Sequence, residues 1–162
     1  MTISVGDKVP DGSLMLSGDG GLREWPVAAE LAGKSVVIFG LPGAYTGTCS
    51  TAHVPSFIRT FDKFKAKGVD AIICVSVNDV FVMKAWGEAT GATSAGIVMA
   101  ADPDASFTKA LGLDFGAGFS RGMTRSMRYA MHVVDGVMKV LNFEENPGAC
   151  EISAGEGLLA AM

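Results

Sequence analysis

Three short apolar runs rich in β-branched residues, at 34–39, 70–77 and 96–101, alternate with stretches whose apolar residues recur at helical spacing. This alternation constrains the chain more than any other feature. Apolar runs of this kind read as strands buried on both faces, and a strand–helix–strand rhythm calls for a parallel sheet with crossover helices. The 162 residues suit one domain, because a chain of about 150 residues can bury roughly two-thirds of its unfolded surface. No composition shift, Pro/Ser-rich linker or repeat marks an internal boundary, so 1–162 reads as a single domain.

The remaining elements follow from local signals. Residues 13–17, followed by Gly18, Asp19, Gly20 and Gly21, predict a short hairpin before Leu22. Residues 26–31 predict a short helix with Pro26 at its start and Gly33 just past its end. Val54, Phe57, Ile58, Phe61 and Phe64 recur between Arg59, Asp62, Lys63 and Lys65, which predicts an amphipathic helix closed by Gly68. Asn78 and Asp79 offer a cap to the next helix, whose apolar face is expected at Val82, Ala85, Trp86 and Ala89 and whose end is near Gly91. Asp102, Pro103 and Asp104 open a further helix that Gly112 stops, and residues 113–125, Gly-rich with Phe115 and Phe119, read as a long functional or docking loop. Asp135-Gly136 between runs at 127–134 and 137–142 predicts an antiparallel hairpin, and Ser153 to Glu156 matches a capping box for a closing helix over 157–161. Parallel βαβ units, a hairpin and a closing helix are what a thioredoxin-like α/β fold requires, with a central mixed sheet flanked by helices.

Chemistry-bearing residues concentrate in the loop from Gly40 to His53, between the first buried strand and the helix after it. Cys49 falls near the end of that loop, which places its sulfur in the first turn of the helix. Unpaired N–H groups and the helix dipole favour an anion there, so such a thiol is acidified toward the reactive thiolate. The alternative is a buried structural cysteine, and the flanking Gly, Thr and Ser argue against a greasy pocket for it.

Other classes are disfavoured. A net charge of −4 without a Lys/Arg cluster does not suit nucleic acid, and no apolar run approaches the ~20 residues that span a bilayer. The N-terminus lacks a basic-then-apolar or Arg-rich amphipathic pattern, so it reads as mature and cytosolic. Cys49, Cys74 and Cys150 are an odd number, which fits working thiols in a reducing compartment better than a disulfide scaffold. Cys49 and His53 could share a helix face, but Cys74 and Cys150 lack the paired short spacings of a zinc site.

The spacing of Pro42, Thr46 and Cys49 resembles the active-site signature of the peroxiredoxins, and the string from Pro42 to Pro55 resembles their type II, or peroxiredoxin 5, group. Stretches at 33–40, 73–79, 83–86 and 126–131 resemble the same group, so the likeness covers nearly the whole chain. It implies a thioredoxin-like fold and a thiol-dependent peroxidase acting on hydrogen peroxide and alkyl hydroperoxides without metal, haem or flavin. It also implies a homodimer and recycling by glutaredoxin with glutathione or by thioredoxin. Cys49 would be the nucleophile, and Arg128, matched through Ser126, Met127 and Tyr129, would hold the thiolate and polarise the peroxide bond.

Thr46 would bond the peroxide, or serve only as a loop or cap hydroxyl; Pro42 would shield the sulfur, or simply shape a turn. His53 reads either as a secondary electrostatic or positioning group or as a satisfied histidine, the reading preferred for His132. Attack leaves a sulfenic acid that a thiol must resolve. Cys74 resembles the resolving cysteine of plant type II members, which would need local unwinding to bring its Cα within ~7 Å of that of Cys49. Its alternative is a core residue with an external thiol as resolver, and Cys150 ranks below it. Tyr45, Gly47 and Ser56 depart from the usual Phe, Pro and Gly. Two rival readings remain on the same fold: a thiol–disulfide oxidoreductase, weakened because Thr46 stands where Cys-x-x-Cys would need a cysteine, and a redox sensor.

Overall fold

The structure, a computed structural model, describes residues 1–116, 118 and 121–162. A hairpin, β1 (Ser13–Gly18) and β2 (Gly21–Pro26), leads through α1 (Val27–Leu31) into β3 (Ser35–Gly40). A π-helical turn (Cys49–His53) runs into α2 (Val54–Ala66), followed by β4 (Ala71–Ser76), α3 (Val80–Thr90), α4 (Ala92–Ala95), β5 (Val98–Ala101) and α5 (Ser106–Leu111). Short strands β6 (Asp114–Gly116) and β7 (Thr124–Ser126) precede the hairpin β8 (Tyr129–Val134) and β9 (Val137–Phe143), and α6 (Gly155–Ala161) follows. Seven strands form one sheet in the order β2-β1-β5-β4-β3-β8-β9, with β3, β4 and β5 parallel and the flanking hairpins antiparallel. This is the mixed sheet expected of a thioredoxin-like fold.

The central strands are apolar throughout because both of their faces are covered. Val37 and Phe39 of β3, with Ile72 and Cys74 of β4, enter a core shared with Phe57 and Phe64 of α2, Trp86 of α3 and Leu158 of α6. Their neighbours Val36, Ile38, Ile73 and Val75 point the other way, into a core closed by Val27 and Leu31 of α1 and by Phe107 and Leu111 of α5. Among the described residues no helix is long and apolar enough to cross a membrane.

Asp135 (φ 48°) and Gly136 (φ 75°) form the turn between β8 and β9 with the paired positive φ angles that Asp-Gly suits. Asp79 caps α3 as expected, accepting from the N–H groups of Phe81 and Val82 at 2.9 Å each. Four local expectations change. The buried face of α3 is Val80, Met83, Trp86 and Gly87, whereas Ala85 and Ala89 are exposed and Val82 is half-buried. Gly87 lies inward because a Cβ there would run into Met99 and Thr93, a close approach that apolar periodicity does not report. Residues 113–125 are not wholly loop, since β6 and β7 pair within them; Phe119 lies outside the described residues. Helix α4 went unread between Gly91 and Gly96 because one turn is too short to carry a period.

The fourth change concerns the expected capping box. α6 starts at Gly155 after Ala154 without a side-chain cap. Ser153 instead gives its hydroxyl to Glu144 Oε1 at 2.9 Å, because a buried carboxylate is the stronger acceptor.

Candidate active site

β3 delivers the chain to Gly40, where a Cβ would collide with the ring of Tyr129, so the strand end and the start of β8 approach closely. The end of β4 braces the loop that follows. Asn78 Oδ1 accepts from the Ala44 N–H at 3.0 Å and from Ser76 Oγ at 2.6 Å, while Arg125 Nη1 donates to the Val77 carbonyl at 3.1 Å. Tyr45 sits exposed in the left-handed region at φ 62°, a conformation that costs an aromatic residue energy and persists where neighbours impose it. Its ring leans on Trp86, whose Nε1 donates to Ser50 Oγ at 3.0 Å, one residue past Cys49.

Cys49 opens the π-helical turn, so its sulfur does lie in the first turn of the helix. The widened turn has a cause in the sequence. Pro55 has no N–H to donate and its ring would clash with a carbonyl one α-turn back, and a wider turn absorbs both defects.

Cys49 is buried, at 1% exposure, in the same apolar cluster as Phe39, Leu41, Val54 and Phe57. The polar surroundings expected from its flanking Gly, Thr and Ser are therefore a correction, because those residues face away while strand and helix enclose the sulfur. Polarity comes instead from Arg128, 2% exposed and one residue before β8. Its fork is fixed in three directions: Nη2 donates to Cys49 Sγ at 3.3 Å, Nη1 to His53 Nδ1 at 3.1 Å and Nε to the Pro147 carbonyl at 3.1 Å. Among the described residues, none of the ion pairs within 4 Å includes Arg128. Arg128 therefore sets a buried positive charge and a hydrogen-bond donor against the sulfur.

His53 is wholly buried, and its ring has a defined role in this arrangement. Burial first, and then the Arg128 charge, lower it from its ordinary 6.5 to about 3, so it is neutral. Its Nε2–H donates to the Ser153 carbonyl at 3.0 Å, which leaves Nδ1 bare to accept from Arg128. Cys49 and His53 thus do share a face, meeting at one guanidinium.

A cleft of about 300 Å³ is lined by Pro42, Thr46, Thr48, Phe115, Arg128 and Pro147, among others. Arg128 reaches both this cleft and the sulfur. Pro42 is buried in the wall, and Thr46 is half-buried with its hydroxyl donating to the Gly43 carbonyl at 2.6 Å. With that proton committed, the Thr46 oxygen can only accept from a bound molecule. The helix forms no side-chain cap hydrogen bond at Thr48.

The other thiols differ sharply in setting. Cys74 is wholly buried in β4 opposite Phe39 and Met99, and burial, then the neighbouring Cys49, push its thiol well above the ordinary range. Cys150 is half-buried on the segment that supplies the Pro147 wall; burial raises its thiol while Arg128 opposes the rise. All three cysteines are free. His132 is away from the site, bonded through Nε2 to Ser35 Oγ at 2.8 Å. The sequence reading missed Asn78 as a brace, Pro147 as a carbonyl acceptor and the buried pair Glu144 and Ser153. Only Pro55 carried a legible signal, for the widened turn.

A cysteine at a helix start, enclosed by a thioredoxin-like sheet and touched by a buried arginine beside a small cleft, is arranged for thiol chemistry on a small substrate. Comparison with known proteins makes this specific. A family model described as Redoxin matches residues 4–159. Peroxiredoxin-2E-2, chloroplastic, of Oryza sativa subsp. japonica is 46% identical over 99% of this chain and 73% of its own length, and Peroxiredoxin-2C of the same plant is 43% identical over 99% and 98%. Among solved structures, reduced Prx3 in complex with H2O2 from Vibrio vulnificus superposes with a TM-score of 0.92 at 51% identity over 99% of each chain. Peroxiredoxin 5 from Alvinella pompejana gives 0.84 at 31%, over 98% of this chain and 97% of its own. The chain belongs to the peroxiredoxins, in their type II group. It is a thiol-dependent peroxidase, and the family acts on hydroperoxides with thiol reductants.

Proposed function

We propose that Cys49 is the peroxidatic sulfur and that Thr46, Arg128 and Pro42 build its peroxide site. The observation that carries this reading is the 3.3 Å contact from Arg128 Nη2 to Cys49 Sγ beside a cleft that Arg128 also lines. The thiolate attacks one peroxide oxygen, a sulfur–oxygen bond forms as the oxygen–oxygen bond breaks, and the departing oxygen leaves as hydroxide or alkoxide and takes a proton to become water or alcohol. Arg128 stabilises the charge on sulfur and on the departing oxygen, and Thr46 Oγ1 accepts the hydrogen of the attacked oxygen. Pro42 keeps bulk water from the sulfur, and His53 holds the guanidinium in place.

The resulting sulfenic acid condenses with a thiol, releasing water. Cys74 can supply that thiol only if the π-helical turn and the start of α2 unwind, since it sits inside the sheet. Half-exposed Cys150 needs less rearrangement, and an external thiol from glutathione or a redox protein needs least. Glutaredoxin with glutathione and thioredoxin are the two reductants in view, in a reducing compartment such as the cytosol, with the enzyme paired as a homodimer. Exposed Tyr45 and Phe81, beside the loop and at the start of α3, are apolar surface available to such a pairing.

Supplying each reductant system separately, with hydrogen peroxide or an alkyl hydroperoxide, tests the assignment. Sustained NADPH consumption with one system identifies the donor, and its disappearance in Cys49→Ser ties turnover to that sulfur. Turnover that persists in Cys49→Ser contradicts the assignment.

A further inference from the structure

The guanidinium of Arg128 is aimed by two acceptors besides the sulfur, and both depend on the segment between β9 and α6. Pro147, whose carbonyl takes Nε–H, lies within it; Ser153, whose carbonyl takes the Nε2–H of His53 and so fixes Nδ1 as the acceptor for Nη1–H, lies at its end. This segment is closed on itself by one oxygen. Glu144 Oε1 accepts from the Glu151 N–H at 2.7 Å, the Ser153 N–H at 3.0 Å and Ser153 Oγ at 2.9 Å. At the other end, the Glu144 N–H donates to the Arg128 carbonyl at 2.9 Å. Glu144 and Ser153 are both buried, so these bonds face little competition from water. A third tie, Thr48 Oγ1 to the Gly148 carbonyl at 3.1 Å, fastens the segment to the residue before Cys49.

We propose that Glu144 is a positioning residue for the peroxidatic cysteine: by clasping its loop through Ser153 it sets the tautomer of His53 and aims the Arg128 fork at the Cys49 sulfur. This rests on the peroxidase reading of Cys49. The clasp supplies an acceptor at one point, and its carboxylate also lies within electrostatic reach of Arg128; Glu144→Gln separates the two, because it keeps the acceptor and removes the charge. Losing it frees the Ser153 carbonyl, lets the imidazole turn or change tautomer, and leaves Nη1–H without a fixed acceptor. A guanidinium no longer held at 3.3 Å from the sulfur stabilises neither the thiolate nor the transition state.

The test compares Glu144→Ala, Glu144→Gln, Glu144→Asp and the control Glu145→Ala, whose side chain is exposed. Reaction of the reduced protein with hydrogen peroxide is followed by stopped-flow through tryptophan fluorescence, since Trp86 bonds Ser50 next to Cys49, and ionisation of Cys49 by alkylation rate against pH. Glu144→Ala is expected to lower the second-order constant by about tenfold to a hundredfold and to move the alkylation midpoint upward, the cost of a misaimed catalytic group. Glu144→Gln, which keeps the carbonyl acceptor, is expected to recover most of the rate, and Glu145→Ala to match the parent. A folded Glu144→Ala with unchanged rate and midpoint overturns the proposal, as does a Glu144→Gln that falls as far as the alanine variant. If Glu144→Ala does not fold, Glu144→Asp decides, because it keeps the charge but draws the acceptor back by one methylene from the Glu151 and Ser153 N–H groups: a slower reaction with a raised midpoint supports the clasp, and an unchanged one overturns it. Peroxide reactivity that survives in Cys49→Ser would instead overturn the assignment of Cys49 itself.

Discussion

One buried arginine touches the sulfur of Cys49, and the geometry shows what a lysine in its place could not supply. Arg128 uses three different nitrogens on three acceptors, whereas the compact ammonium of lysine cannot span them from one rotamer. Arg128→Lys is therefore expected to keep the positive charge yet lower the peroxide rate constant on the order of a hundredfold, the scale of losing one aligned donor to developing charge. A stopped-flow constant within threefold of the parent would show that charge alone suffices. The sequence pointed to Cys49, Thr46, Pro42 and Arg128 because their spacing matches a family signature, and the structure lines one cleft with Pro42, Thr46 and Arg128 and puts Arg128 on the Cys49 sulfur. Pro147 and Ser153 were not legible in the sequence, because each contributes a backbone carbonyl. Glu144 was hidden because nothing in Glu144-Glu145 says which of the two turns inward.

Among the elements, those with local punctuation were readable and those shaped by neighbours were not. Asp79 and Gly91 bracket α3, and Asp135-Gly136 fixes the last hairpin, but the inward face of α3 is set by Met99 and Thr93 lying against Gly87. The same logic governs Gly40, where β3 ends and the active-site loop begins. A methyl group there would meet the Tyr129 ring, next in sequence to Arg128, so the element boundary and the site share one packing contact. Gly40→Ala is expected to destabilise the fold by about 1–3 kcal/mol through overpacking. It should also slow the peroxide reaction by displacing Arg128. Urea unfolding and the rate constant report the two effects, and a variant unchanged in both would show that Tyr129 yields freely.

Over the whole molecule, the parallel β3-β4-β5 core with α2 and α3 on one face and α1 and α5 on the other follows from strands apolar on both sides, which is why fold class could be read before any site residue. One consequence reaches global stability. His53 titrates near its ordinary 6.5 when the chain is unfolded but only at about 3 when folded, so between those values the unfolded state binds a proton that the native state refuses. Stability therefore rises with pH across that window and is lost as pH falls through it. His53→Gln is expected to flatten this acid limb relative to the parent in chemical denaturation at a series of pH values, and parallel limbs would show that His53 is not the group responsible. The central claim concerns which of three free thiols meets peroxide. Reduced protein treated with one equivalent of hydrogen peroxide and mapped by mass spectrometry of non-reduced peptides should carry oxidation at Cys49 within the first turnover, as a sulfenic acid or as one partner of a disulfide, with Cys49→Ser unreactive. First oxidation at Cys74 or Cys150, with Cys49 still a thiol, would contradict it.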